Sequence, residues 1–567
     1  MYSHTDHRPP RGGADSGRIK GIARSGLRQR APAVFLALVF LALALLAGVG
    51  ACDPQRPAAG TTGYASGFAG AVVADEPRAA LAARDILSTG GGAVDAAVAL
   101  AFTMAVTNPS SAGLGGGGVC MVRDPKVPTV ETLEFYATAP AQIAPGTPRP
   151  SAVPGLPRGL YALHAKYGKV RWEQLLASAE TLARFGNTVS RSLAQDLTLI
   201  TEPLLQDAEI RRVFADGTGR ILQEGAPLAQ IDLAATIGRI RLRGPGEFYL
   251  GQAARDLVAA VTAAGGSLSL EDLRDYAPRW IDTLQVPFGT NVAHFAPPPA
   301  GGGVAGQMWA MLVDGERYTR LADDDRHHLM AQVAMRAYAD RTVWMKPDGT
   351  SSVPAPDLVT PARVTGLMAS YNSERFVQVP HPNPAITENP AGTGFTVVDS
   401  RGLAVSCVLS MNNLFGIGRI APGTGMVLAA APHPGGRGPY ALAPMMVVKR
   451  NVPEMIFAGT GTGGPPAASA LVATAARTIL GRRLLAEAVM APRLHAGMTP
   501  DLVVVETAGQ PQVTDGLGKR GYTLGVMGKF GRVNAVGCPD GLPPRPDTCE
   551  AVNDPRASGI GMIVNGG

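Results

Sequence analysis

The sequence predicts an α+β protein in which sheets lie against helices, and three observations carry that prediction. Ala93–Val106 is almost wholly apolar over a helical length, the mark of a helix buried on every side. Phe395, Val397 and Asp399 alternate with Thr396 and Val398, Asp399-Ser400-Arg401-Gly402 makes a turn with Gly402 at the left-handed position, and Ala404–Ser410 returns as a second β-rich run. Pro444–Val448 and Glu454–Ala458 read as strands, and Ala467–Leu480 and Leu484–Met490 as helices. Apolar helices beside strand-like apolar runs are what alternating layers of sheet and helix require.

At 567 residues and 46% hydrophobic side chains the chain has ample material for a core. Gly 70 and Pro 47 make it loop-rich, short of the disordered range. The net charge of +6 suggests nucleic acid until it is located. Arg8, Arg11, Arg18, Lys20, Arg24, Arg28 and Arg30 stand against Asp6 and Asp15, so five of the six charges belong to the leader and nucleic acid loses its support as a partner. The uncharged run Ala31–Gly50 follows, and then Val49-Gly50-Ala51-Cys52, which resembles a bacterial lipobox. Cleavage there would leave Cys52 as a lipidated N-terminus, and Asp53 resembles an inner-membrane retention signal. The same run is long enough to span a bilayer as an uncleaved anchor. Either way the body is expected to face the cell envelope, with 1–51 as leader and 52–70 as tether.

Of the five cysteines, Cys538 and Cys549 flank a turn-rich loop and are expected to pair in an oxidising compartment. Cys120 and Cys407 lie in apolar β-type runs and read as buried core residues. In order along the body, Arg78–Ser88 has helical spacing stopped by Gly90-Gly91-Gly92, and Val119–Val122 reads as a strand. Arg158–Phe185 is helical, Ser269 caps a helix start, and Asp323–Asp325 head a helix running through Asp340. From 346 to 392 the chain turns polar and Pro-rich, with Pro380, Pro382, Pro384 and Pro390 near its end. That composition suits a loop that must move around an internal cut, and equally a plain linker. A strand opening on Thr393 after such a loop suits cleavage that leaves Thr393 as a new N-terminus, its amine then serving as base for its own hydroxyl.

Two stretches match G-x-G-x-x-G. Gly113–Gly118 precedes a strand and not a helix, and Gly459–Gly464 has no βαβ setting, so no nucleotide cofactor is expected. The nine His are scattered without metal-ligand spacing, His327-His328 reads as surface, and no metal is assigned.

Gly90-Gly91-Gly92-Ala93-Val94-Asp95-Ala96-Ala97-Val98, followed by Leu114-Gly115-Gly116-Gly117-Gly118, resembles the signature of gamma-glutamyltranspeptidases. The hairpin closed by Met411-Asn412-Asn413-Leu414-Phe415-Gly416 resembles the nucleophile region of that family, and Glu134–Pro140, Ser151–Gly155, Ala486–Arg493 and Asp554–Arg556 match further landmarks in order. The resemblance implies the four-layer αββα sandwich of N-terminal-nucleophile hydrolases, cut into a large-subunit-like region (71–392) and a small-subunit-like region (393–567). It implies acyl transfer or amide hydrolysis on a small-molecule amide or peptide, without a cofactor. Ser410 matches the hydroxyl that supports the nucleophile, Gly463 and Gly464 the pair supplying oxyanion amides, and Asn412 an Asn of the substrate pocket.

The chain departs from the pattern where chemistry is densest. Counting from Val397-Val398-Asp399 and from Asn412, the family's nucleophilic Thr falls on Gly392 and its second Thr on Thr393. Cleavage between Gly392 and Thr393 would make Thr393 the nucleophile, displaced by ~3.8 Å of chain. Tyr136 stands where the family grips the substrate's α-carboxylate with Arg, Pro434 where it holds the α-amino group, and Ala431 and Tyr440-Ala441 where it has Gln and a Ser pair. A substrate pocket altered at Tyr136 and Tyr440 is therefore expected to take amides other than glutathione. The alternative is a catalytically silent relative serving as a binding or scaffold lipoprotein.

Overall fold

The computed structural model describes residues 67–127, 129–147, 149–380, 388, 391–433, 438–498, 502–507 and 511–566. Two antiparallel sheets face one another. The first has seven strands in the order Ile560–Gly566, Gly67–Ala74, Thr393–Asp399, Ala404–Ser410, Gly117–Arg123, Val130–Phe135, Arg279–Asp282. The second has six, in the order Glu550–Val552, Arg532–Leu542, Met455–Thr462, Ala443–Lys449, Asn291–Phe295, Leu284–Phe288.

Side-chain alternation sorts each strand between two cores. In the first sheet Phe395 and Val397 pack outward against the helix Ala93–Thr107, while Val398 faces the second sheet beside Met446 and Ala458. In the second sheet Met445 and Val447 pack outward against the helices Gly302–Val313, Asp323–Trp344 and Pro466–Ala475. The result is helix, sheet, sheet, helix, the four-layer αββα sandwich expected from the resemblance. Strands covered on both faces explain why Thr393–Asp399 and Ala404–Ser410 are buried throughout.

The hairpin turn is built as read. Gly402 has φ +85°, and the Asp399 carboxylate accepts the Arg401 and Leu403 amides. Its second oxygen accepts the Ala93 amide at 3.2 Å, which ties the hairpin to the N-terminus of the buried helix. Every residue of that helix is buried, and Asp95 closes its first turn by accepting the Gly92 amide at 2.9 Å.

Several readings are corrected. Cys120 and Cys407 are not free core thiols: they sit directly opposite each other on neighbouring strands and form a disulfide. Cys538 and Cys549 form the second, as expected. His328 is not at the surface. It is 1% exposed, with its ring nitrogens on the Asn372 carbonyl and the Tyr522 hydroxyl, because it falls on the core face of its helix. The stretch from 346 holds the helix Pro361–Met368, started by Pro361 and capped by Thr360, whereas 381–387 and 389–390 lie outside the described residues. The leader, Cys52 and Pro434 also lie outside them. Among the described residues no helix is long and apolar enough to cross a membrane.

Folding is expected to be pH-sensitive through buried imidazoles, His294 and His495 among them. Burial pushes His294 down to about 4 and His495 down to about 3 from the ordinary 6.5. Below pH 6.5 the unfolded chain binds protons that the folded chain refuses, so the stability they contribute is intact above 6.5 and falls as pH drops toward 4. Urea titrations should show a loss of ~1.4 kcal/mol per pH unit for each ring across that window. A His294→Gln chain should show a shallower slope, and an unchanged slope would assign the acid sensitivity to other groups.

Candidate active site at the mouth of the hairpin

Thr393 opens the first hairpin strand and is 1% exposed. Its hydroxyl donates to Asp75 Oδ2 at 3.1 Å, and the Gly394 amide donates to the same oxygen at 3.2 Å. Asp75 follows directly on the neighbouring strand Gly67–Ala74 and is itself buried. Its other oxygen accepts Asn534 Nδ2 at 2.8 Å, and that amide also donates to the Gly394 carbonyl at 2.8 Å, reaching across from the second sheet. Gly394 has no alternative here: a Cβ would lie 2.4 Å from Thr460 Oγ1.

The residue before the hydroxyl is held as firmly. The Gly392 carbonyl accepts Arg532 Nη2 at 2.7 Å, a charge-assisted bond. Ser410 Oγ donates to the Ala391 carbonyl at 3.0 Å and accepts the Asn412 amide at 2.9 Å. The bond between Gly392 and Thr393 therefore has a carboxylate on its hydroxyl side and a guanidinium on its carbonyl oxygen. A Cβ at Gly392 would make only ordinary 3.5 Å contacts, so packing does not force glycine there.

Gly392 lies on the wall of a pocket of about 510 Å³ that also contains Gly463, Asp196, His495, Lys529 and Arg532. Gly463 and Gly464 have φ +101° and +78° in the turn from the strand Met455–Thr462 to the helix Pro466–Ala475, a backbone that only glycine adopts without strain. Asp196 accepts Ser110 Oγ at 2.6 Å, and burial holds its carboxyl above the usual carboxylate range, partly offset by Arg532. His495 is neutral near pH 7, Nδ1 paired with Ser469 Oγ at 2.9 Å and Nε2 buried without a partner among the described residues.

The sequence-read site residues divide accordingly. Gly392 and Gly463 share the pocket wall, and Ser410 reaches the segment just before Gly392. Thr393 lies behind that wall, its hydroxyl turned to Asp75. Asn412 Nδ2 is taken up by the Ala137 and Ala430 carbonyls at 3.0 and 2.9 Å. Tyr136 has its hydroxyl buried without a partner among the described residues, pushed well above its ordinary pKa by burial. Tyr440 is buried against the second sheet's helical core, over Gly349 and Gly438. Neither tyrosine lines the pocket.

Sequence reading missed Asp75, Asn534, Arg532 and Asp196. Each comes from an element remote from the hairpin, and only Asp75, a carboxylate ending a buried strand, left any local signal. The landmark Asp554–Arg556 gains a physical role. Asp554 Oδ2 accepts the Val533 amide and Arg493 Nη2, and its Oδ1 accepts Arg556, so it fixes the start of the strand that carries Arg532 and Asn534. Asp554→Ala would leave the buried Arg493 uncompensated, and should cost ~3–5 kcal/mol in a denaturant titration. A loss below 1 kcal/mol would deny Asp554 this role.

Comparison with known proteins agrees with the geometry. The family profile described as Gamma-glutamyltranspeptidase matches residues 79–564. A glutathione hydrolase proenzyme of Pseudomonas aeruginosa is 30% identical over 87% of this chain and 94% of its own length. One of Escherichia coli is 27% identical over 80% and 85%. Among solved structures, a cephalosporin acylase from Bacillus halodurans superposes with TM-score 0.75 and 24% identity, covering 90% of this chain and 99% of that one, a likeness that speaks for the fold alone. With the profile spanning most of the body and the αββα layers and hairpin in place, the chain belongs to the gamma-glutamyltranspeptidase family.

Proposed function

We propose that the chain cleaves its own Gly392–Thr393 bond, and that Thr393, freed as an N-terminus, then cleaves or transfers an amide-linked acyl group bound in the pocket beside Gly463. The observation that carries this reading is the placement of Asp75 and Arg532 on the two ends of one peptide bond. Thr393 Oγ attacks the Gly392 carbonyl carbon, its proton passes to Asp75, and the oxygen that gains charge faces Arg532. Collapse breaks the C–N bond, the amine takes the proton, and a Gly392 ester on Thr393 remains for water to hydrolyse. Ala391 and Gly392 line the pocket ahead of the buried Thr393, so their release would open the pocket onto the hydroxyl and its new amine. The Gly463-Gly464 turn then offers backbone amides to the substrate oxyanion.

The substrate is an amide whose acyl part is not gripped as an α-amino acid, because Tyr136, Ala431 and Tyr440 replace the family's clamp. The protein works in the envelope, held by lipid on Cys52. An oxidising compartment is supported by the two disulfides. The rival reading, a silent binding protein, rests on Gly392 lacking a hydroxyl and on the burial of Thr393.

Intact mass and a reducing denaturing gel of the purified protein test the reading together. Two fragments should meet between 392 and 393, the smaller beginning with Thr393, and the larger should carry lipid on Cys52. Without reductant they should migrate as one species, since Cys120 and Cys407 join the two sides of the cut. A single uncut chain that turns over no acyl amide would establish the silent relative.

A further inference from the structure

A second pocket, of about 350 Å³, opens away from the hairpin between the start of the helix Asp323–Trp344 and the π-helical turn Ala476–Leu480. Four of its lining residues are arginines: Arg326, Arg477, Arg483 and Arg493. Three are engaged in ion pairs. Arg326 and Arg483 share the Asp323 carboxylate, and Arg493 is paired with Asp554. Arg477 is different, for among the described residues its side chain has no hydrogen bond or ion pair, and its Nη1 is buried.

Arg477 is half-buried, and a buried donor such as its Nη1 left without a partner is costly, so it is kept only where something compensates it. The carboxylates of this pocket make no direct bond to it, and Asp323 acts on it only through space. Asp323 and Asp324 stand exposed to solvent, the first already shared by two arginines. His327, beside Arg477, adds a ring but no charge near pH 7, because burial and then Arg477 push it down to about 4. The vacant donor is a planar fork whose spacing matches two oxygens of one acid group.

We propose that this pocket binds a small oxyanion, a carboxylate or a phosphate, on the unpaired fork of Arg477, with Arg326 and Arg483 adding positive potential beside it. The site is separate from the hairpin chemistry and does not depend on cleavage at Gly392. It is nonetheless connected to it: Arg493 lines this pocket, Arg556 lines the other, and both are held by Asp554 between them.

Calorimetry of the purified full chain, with inorganic phosphate in one arm and acetate in the other, tests the proposal and tells the two sources apart. At least one anion should bind one per chain, and Arg477→Gln should weaken it about tenfold or more, the worth of a charged hydrogen-bonded pair. Arg532→Gln, in the other pocket, should leave that binding in place. Absence of binding by either anion, binding unchanged in Arg477→Gln, or loss in Arg532→Gln alone would overturn the proposal. Should Arg477→Gln fail to fold, a crystal of the native chain soaked in selenate decides: the anomalous peak belongs within hydrogen-bond distance of Arg477, and a map with no peak there refutes the site.

Discussion

A chain carrying Thr393→Ala should run as one uncut polypeptide on a reducing denaturing gel, and its turnover of any amide the native protein accepts should fall on the order of 10⁴-fold or more. The expectation follows from the number of tasks given to one residue. In the proposed reaction its hydroxyl attacks the Gly392 carbonyl, and after the cut the same hydroxyl and the new amine would form nucleophile and base. No nearby group substitutes: Gly392 has no side chain, and the Ser410 hydroxyl is engaged by the Ala391 carbonyl and the Asn412 amide. The substitution removes one buried bond to Asp75, about 1.5–3 kcal/mol, so the fold should survive and the uncut chain should be well folded. Thr393→Ser keeps the hydroxyl and should restore the cut. Two fragments from Thr393→Ala, at the native position, would remove Thr393 from the mechanism altogether.

Arg532→Gln should slow the cut by about 10²–10³-fold, the cost of losing one well-placed donor to a developing oxyanion. The guanidinium is expected to contribute because its bond to the Gly392 carbonyl is formed in the uncut chain and would need no reorganisation as charge builds there. Asp75→Asn should slow it by a comparable or larger factor, ~10²–10⁴, since Asn retains an acceptor for the Gly394 amide but takes no proton from Thr393. The measurement is the uncut fraction on a gel as a function of time after synthesis. Native rates in both variants would mean that the geometry around the bond is structural only.

Much of the architecture was open to reading because its causes are local. The hairpin follows from side-chain alternation plus a glycine that the turn needs at φ +85°. The helix Ala93–Thr107 follows from a run with no polar face, and such a helix has to be covered on all sides. The Cys538–Cys549 pair follows from two cysteines separated by a turn. Where local pattern misled, a neighbour distant in sequence was responsible. His328 is polar and stands at a helix start, yet Tyr522 and Asn372 close over it. The resemblance sets Tyr136 and Tyr440 at positions of a substrate clamp, yet both side chains are spent in packing.

The amino-acid order by itself determined the elements, the layered class and the family, because helix period, strand alternation and turn chemistry act over a few residues at a time. Only the tertiary structure decided which side chains share a site. The register of the seven-stranded sheet puts Cys407 opposite Cys120 and lays Thr393 beside the end of the strand that leads to Asp75. The stacking of the two sheets then brings Arg532 and Asn534 onto the same two residues of the hairpin. A one-residue slip in either strand would turn every one of these groups to the opposite face, and no local signal encodes that choice.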